Sequence, residues 1–412
     1  MKLPWKKILI FLGFLVFVIL ISYAIYYFFF RPAATREPQV YDQSQIALEP
    51  GELPQVINAN VGVALPGGIS GLPEIKGLTG EVSDVASGGL TKTHRLTSGE
   101  VKGVTIGTDG SLIYYDVVSG KFYRRLADGS VVELTDKIFH QVEKVTWSSS
   151  GNKAILEYPD GSNILYDFNS QKQYSLPKEM QNFAFSANDE KIATEVMGST
   201  PESNWLTTSN LDGSNIKFIE QIGDRSDDIG IGFSPNNQVV ATLRDNYDAE
   251  RQEIYFIGQN KENLKSFIVP GRGFESKWTS DGNKMLYSVY SSSSNFVPTL
   301  WLTDAQSDNI GRNNISLNLN TWVDKCTINQ SGRTAYCAVP RELPFGSGWY
   351  PELAKGQPDD FYRIDLETGR RDFLAVPSGS TIHSASQVFL SPDEKVLYFI
   401  NQSDNNIYNI NL

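Results

Sequence analysis

One hairpin motif recurs along most of this 412-residue chain, and it constrains the fold more than any other feature. An apolar stretch ends in an aromatic residue, a short Ser/Asx/Gly turn follows, and a second apolar strand begins. Trp147-Ser148-Ser149-Ser150-Gly151 leads into Ala154-Ile155-Leu156. Phe185-Ser186-Ala187-Asn188-Asp189, Phe233-Ser234-Pro235-Asn236-Asn237, Trp278-Thr279-Ser280-Asp281-Gly282 and Phe389-Leu390-Ser391-Pro392-Asp393 are further copies. Looser copies start at Ile106 and Cys326. Each copy is followed by another strand-like run, at 121–126, 163–168, 205–209, 253–257, 299–303, 361–366 and 406–412. Several units then close on Leu-Thr, Leu-Pro or Val-Pro, as at Leu134-Thr135, Leu176-Pro177, Val269-Pro270 and Val376-Pro377. The seven anchors lie at 106, 147, 185, 233, 278, 326 and 389, close to the ~40–50-residue period of four-stranded β-propeller blades. A β-sandwich would not repeat one motif at this interval. The expected fold is all-β: a seven-bladed propeller of four-stranded antiparallel blades over 91–412.

The repeats resemble the WD40-like units of TolB-type propellers, whose hairpin reads roughly Trp/Phe-Ser-Pro-Asp-Gly followed by an apolar strand. The copies at 233, 278 and 389 carry the likeness best. The resemblance implies the propeller fold and, by analogy, protein partners in bacterial envelope complexes. The motif is structural and names no ligand.

The seventh unit stops after its third strand, leaving an edge free to pair. Thr93-His94-Arg95-Leu96-Thr97 has the Leu-Thr ending of a fourth strand. Residues 93–97 are therefore expected to complete the last blade and close the ring.

Residues 8–30 form a 23-residue run without a charge, about 34 Å long as a helix and enough to span a bilayer. Aromatic residues Tyr26 to Phe30 suit an interfacial belt. The run exceeds the apolar core of a cleaved signal peptide and lacks its small residues, although cleavage near Ala33 or Ala34 is the alternative. Lys2, Lys6 and Lys7 precede it, against Arg31 and Arg36 after it, which favours a cytoplasmic N-terminus and a propeller outside the cytoplasm. An inverted, cytoplasmic-facing propeller is the competing topology. Residues 1–30 thus read as stub and single-pass anchor, with the lipid bilayer as partner of 8–30. Residues 31–90 hold six Pro, nine Gly and one aromatic, Tyr41, and read as a flexible linker.

Net charge is −11, and no acid precedes residue 30, so the remainder is more acidic still. A nucleic-acid partner is disfavoured. Two Cys and three His offer neither a zinc site nor a His cluster, and no metal or cofactor is expected. His94, His140 and His383 have no ligand-spaced neighbours and read as structural. The acidic run 224–228 lacks the oxygen spacing of a calcium loop. Asp-Gly-Ser at 109–111, 128–130, 160–162 and 212–214 suits tight turns and only superficially resembles a sialidase box. No Gly-x-Ser-x-Gly elbow occurs, and no catalytic residue is assigned. If the turn after Cys326 centres on Gln330-Ser331, Cys326 faces Ala335 and the sulfurs lie diagonally, ~7–8 Å apart at Cα. Two buried thiols are expected, a disulfide requiring a different register.

Long insertions fall at 198–204, 245–252, 291–298 and 340–360, all between second and third strands and therefore on one face. They carry Tyr247, Phe296, Phe345, Trp349 and Tyr350, the candidate partner-binding residues. The alternative is that these rings fold back as a cap on their own blade. The function expected is a membrane-anchored binding or scaffolding module for protein partners in a cell-envelope assembly. The competing class is a glycan-binding or glycan-cleaving propeller, which needs a central pocket with paired carboxylates.

Overall fold

The computed structural model describes Leu20 and residues 81–412 except 263 and 380. The chain divides into two units, Met1–Val61 and Gly62–Leu412, and all described residues but Leu20 belong to the second. The span expected at 8–30 lies outside the described residues save Leu20. Among the described residues no helix is long and apolar enough to cross a membrane.

The described residues form seven sheets, each built on four antiparallel strands; in six of them the four follow in sequence order, and in the seventh the outermost strand comes from the start of the fold. Their first strands are Val101–Ile106, Lys144–Trp147, Met180–Phe185, Ile229–Ile231, Arg272–Trp278, Cys326–Ile328 and Ala385–Leu390. First strands meet between blades 1 and 2, 2 and 3, 3 and 4, 6 and 7, and 7 and 1. The seven-bladed propeller expected from the repeats is the fold observed. Apolar clusters fill the spaces between blades; Val101, Val104, Leu112 and Tyr114 of blade 1 pack on Ile400 and Ile407 of blade 7.

The turn motif has a hydrogen-bonding cause. In blades 2 to 7 its first polar residue is Ser148, Ser186, Ser234, Thr279, Asn329 or Ser391, all buried. Each side-chain oxygen accepts from the backbone N–H five residues on, at 2.9–3.2 Å. A buried hydroxyl or amide is tolerated because it satisfies an otherwise open backbone donor. The residue three positions on has positive φ: Gly151, Asp189, Asn237, Gly282, Gly332 and Glu394. The non-glycines there reach back to the preceding blade. Asp189 accepts from Ser149 and Ser150 N–H at 2.7 and 3.0 Å, and Asn237 from Ala187 N–H at 2.7 Å. Glu394 accepts from Asn329 Nδ2 and Tyr336 Oη. At three of these turns a side chain thus ties its blade to the one before it.

Closure occurs as expected. The strand His94–Arg95 pairs antiparallel with Ile407–Asn411, and Thr97 Oγ1 accepts from Ile407 N–H at 3.0 Å. A second pairing was not foreseen. Gly89–Lys92 adds a parallel fifth strand to the outer edge of blade 6, Gly89 opposite Ala375 and Lys92 opposite Ser378. Ser83 N–H donates to Leu90 and Ala86 N–H to Asn411. The segment read as linker up to residue 90 therefore already lies in the fold by Ser83, and it straps blade 6 to blade 7.

The cysteine expectation is corrected. Cys326 lies directly opposite Cys337, their Cα atoms are 4.1 Å apart, and they form a disulfide. The turn holds four residues, not two. Asn329 Oδ1 accepts from Arg333 and Thr334 N–H, and Gly332 supplies the left-handed residue at φ 70°. Ile328 rather than Cys326 therefore faces Ala335.

Candidate partner-binding face

The four insertions occupy 197–204, 247–251, 291–297 and 341–358, each between the second and third strands of blades 3 to 6. Three of them are hydrogen-bonded in series. Glu250 Oε2 accepts from Ser292 N–H at 3.0 Å, joining blades 4 and 5. Gly346 and Gly348 N–H donate to the Asn295 and Phe296 carbonyls at 3.1 and 2.7 Å, joining blades 6 and 5. A Cβ on Gly348 would lie 2.5 Å from Tyr290 Cβ, so only glycine permits this close approach.

The blade 6 loop therefore docks on the neighbouring blade, not on its own. Trp349 stacks on Phe296 with centroids 3.9 Å apart, and Phe345 meets Phe296 edge-on at 5.5 Å. Tyr290, which the sequence reading missed, packs edge-on against Trp349 at 6.0 Å. It ends a strand immediately before an insertion, the one local signal that marks it. Three of the five candidate residues, Phe296, Phe345 and Trp349, thus form one cluster. Tyr350 is adjacent in the chain and 67% exposed, beside Phe345 at 65% and Trp349 at 44%. Leu353, also missed, is exposed in the short 3₁₀ turn Pro351–Ala354. Tyr247 stands apart on the blade 4 loop, exposed, with the Arg251 guanidinium over its ring at 4.8 Å.

Charged groups near the axis act as links between blades. Arg244 of blade 4 pairs with Glu275 of blade 5 at 2.8 Å. Lys277 Nζ donates to the Asp324 and Cys326 carbonyls of blade 6 at 3.2 and 2.9 Å. Surrounding protein lowers the Lys277 ammonium below the usual lysine range, with Asp324 opposing. Lys325 pairs with buried Asp359 at 2.7 Å, and Ala385 N–H of blade 7 donates to the same carboxylate at 2.6 Å. Burial pushes Asp359 up to about 6 against the pull of Lys325. These carboxylates are each engaged by a cation. Among the described residues no cluster of three or more His, Cys, Asp or Glu is placed to hold a metal ion. A small cavity of about 170 Å³ lies on the opposite face, lined by Ser186, Asn188, Lys191, Phe233 and Asn237 among others, away from the aromatic cluster.

No family model matches the chain, and no curated protein matches it. Solved structures match at the level of fold. A chain of a mitotic checkpoint complex superposes with a TM-score of 0.53 at 12% identity, covering 85% of this chain and 99% of that one. The β-propeller domain of Cps50 (Swd1) from Myceliophteria thermophila gives 0.50 at 12% identity, over 78% and 99%. An oligogalacturonate lyase in complex with manganese gives 0.50 at 13% identity, over 78% and 93%. Identities this low carry the fold and leave ligand and activity to the site itself.

Proposed function

We propose that this chain is a membrane-tethered propeller outside the cytoplasm whose long-loop face binds a protein partner in a cell-envelope assembly. The observation that carries this is the aromatic cluster. Phe345, Trp349, Tyr350 and Leu353 all expose apolar surface within one loop that is fixed to its neighbour by two backbone hydrogen bonds. Rigid rings on a fixed support bury area with little loss of rotamer freedom. The 23-residue apolar run supports the tether. The Cys326–Cys337 disulfide supports an oxidising compartment.

The test is the double substitution Trp349→Ala with Tyr350→Ala in the full-length protein, solubilised and analysed for co-purifying chains. Partner retention should fall by ~2 kcal/mol of binding or more while the melting temperature holds. Unchanged retention would remove the site from this face, and a large drop in melting temperature would make the loop a structural cap.

A further inference from the structure

We propose that the segment seated on the long-loop face is a cationic, apolar stretch of polypeptide, its basic side chains set against blade 4 and its apolar ones on the rings of blade 6. This rests on the binding reading above and adds the chemistry of the partner.

The three joined loops make one continuous wall with two chemically different ends. At the blade 6 end the rings of Phe345, Trp349 and Tyr350 are exposed, and the loop's own cations are occupied. Arg341 pairs with Asp360 at 2.8 Å and Lys355 with Glu352 at 3.8 Å. At the blade 4 end acids outnumber bases. Asp245, Asp248 and Glu250 are all exposed. Asp248 shares Arg251, and Asp245 shares Arg225 with Asp228. Glu250 accepts one backbone N–H, and among the described residues it has no ion pair. Asp224 and Asp227, just before the first strand of blade 4, likewise have no ion pair among the described residues. Arg272, between the two ends, is turned onto Asn246 and the Ala249 carbonyl.

An occupant that meets both ends must be apolar and positively charged. Polypeptide offers both within a few residues. Anionic lipid, nucleic acid and acidic glycans are apolar or charged in part, but their charge has the wrong sign for blade 4 and for a chain of net charge −11.

The experiment uses the full-length protein in neutral detergent and a fluorescein-labelled synthetic peptide, lysines at one end and leucine and phenylalanine at the other. Its analogue carries glutamate for lysine. Anisotropy titrations compare the wild type with Trp349→Ala and with Asp248→Asn plus Glu250→Gln, which keeps an acceptor for Ser292. The lysine peptide should bind, each variant should weaken it about tenfold, and salt should weaken it further. The glutamate analogue should bind at least about tenfold more weakly. Equal binding of the two peptides, or no effect of either variant, overturns the proposal. So does Trp349-dependent capture of phosphatidylserine vesicles in place of the peptide. Partner retention in the Trp349→Ala, Tyr350→Ala protein is read separately. If retention is lost there but the charge tests fail, the binding face stands and its cationic partner does not.

Discussion

His94 stands opposite Asn409 in an antiparallel pair that joins the beginning of the propeller to its end. Beside it, Thr93 Oγ1 reaches both the Ser378 carbonyl of blade 6 and His383 Nε2 at 3.0 Å. The short segment 83–97 therefore holds blades 6 and 7 to each other and both to blade 1.

Truncation separates the two parts of this strap. Deleting 31–80 should leave the melting temperature unchanged. Deleting 31–92 should lower it by removing the parallel strand, and deleting 31–98 should lower it most, with a stability loss on the order of 5–10 kcal/mol at ~1 kcal/mol per lost hydrogen bond. Equal melting of all three would show that the strap contributes nothing.

The disulfide closes a loop of sequence separation 11. Denatured, unreduced protein should therefore show no titratable thiol, and two after reduction. Replacing both cysteines with alanine should cost about 2–3 kcal/mol in a urea titration. Two free thiols before reduction would return Cys326 and Cys337 to the unpaired state.

Asp189 keeps an unfavourable positive φ in exchange for two bonds to the preceding blade. Asp189→Gly relieves that strain yet should destabilise by about 1–2 kcal/mol, because charge-assisted bonds to Ser149 and Ser150 are lost. A stabilised variant would show that backbone strain outweighs the link.

His383 is 4% exposed between Phe399, Tyr408 and Thr93. Burial holds its pKa below the ordinary value of 6.5, with Asp404 opposing. The folded state then binds the proton less readily than the unfolded one. Its stabilising contribution is present above about pH 6.5 and is lost as pH falls through the folded value. Melting at pH 7.5 and 5 should therefore differ more in wild type than in His383→Gln. An identical difference in both would exclude this histidine from the acid response.

Topology has its own measurement. Protease added to intact spheroplasts should release the propeller and leave a membrane-bound stub if Lys2, Lys6 and Lys7 stay inside. Protection of the entire chain would reverse the orientation.

The repeat, the blade number, the strand order and the closing strand at 93–97 are legible in the sequence because they are written in short-range chemistry. Ser186 must supply an acceptor to the N–H of Lys191, and Gly282 must turn left, whatever lies across the ring. The continuously buried runs Leu112–Tyr115 and Met285–Val289, apolar but for Ser288, are likewise written in the strands themselves. What the sequence does not reveal is which separate elements meet. That Trp349 rests on Phe296 of the next blade depends on how the two loops are presented by the ring. So does the parallel pairing of Gly89–Lys92 with blade 6, which no local pattern distinguishes from linker. The Cys326–Cys337 pairing lies between the two cases. Asn329 and Gly332 encode the longer turn, but its effect is a two-residue change of register that moves Cys326 from Ala335 to Cys337. Local hydrogen bonds and apolar periodicity fix the blades. Packing of adjacent blades 5 and 6 creates the aromatic face, and closure of the ring, which brings residues far apart in the chain together, creates the strap.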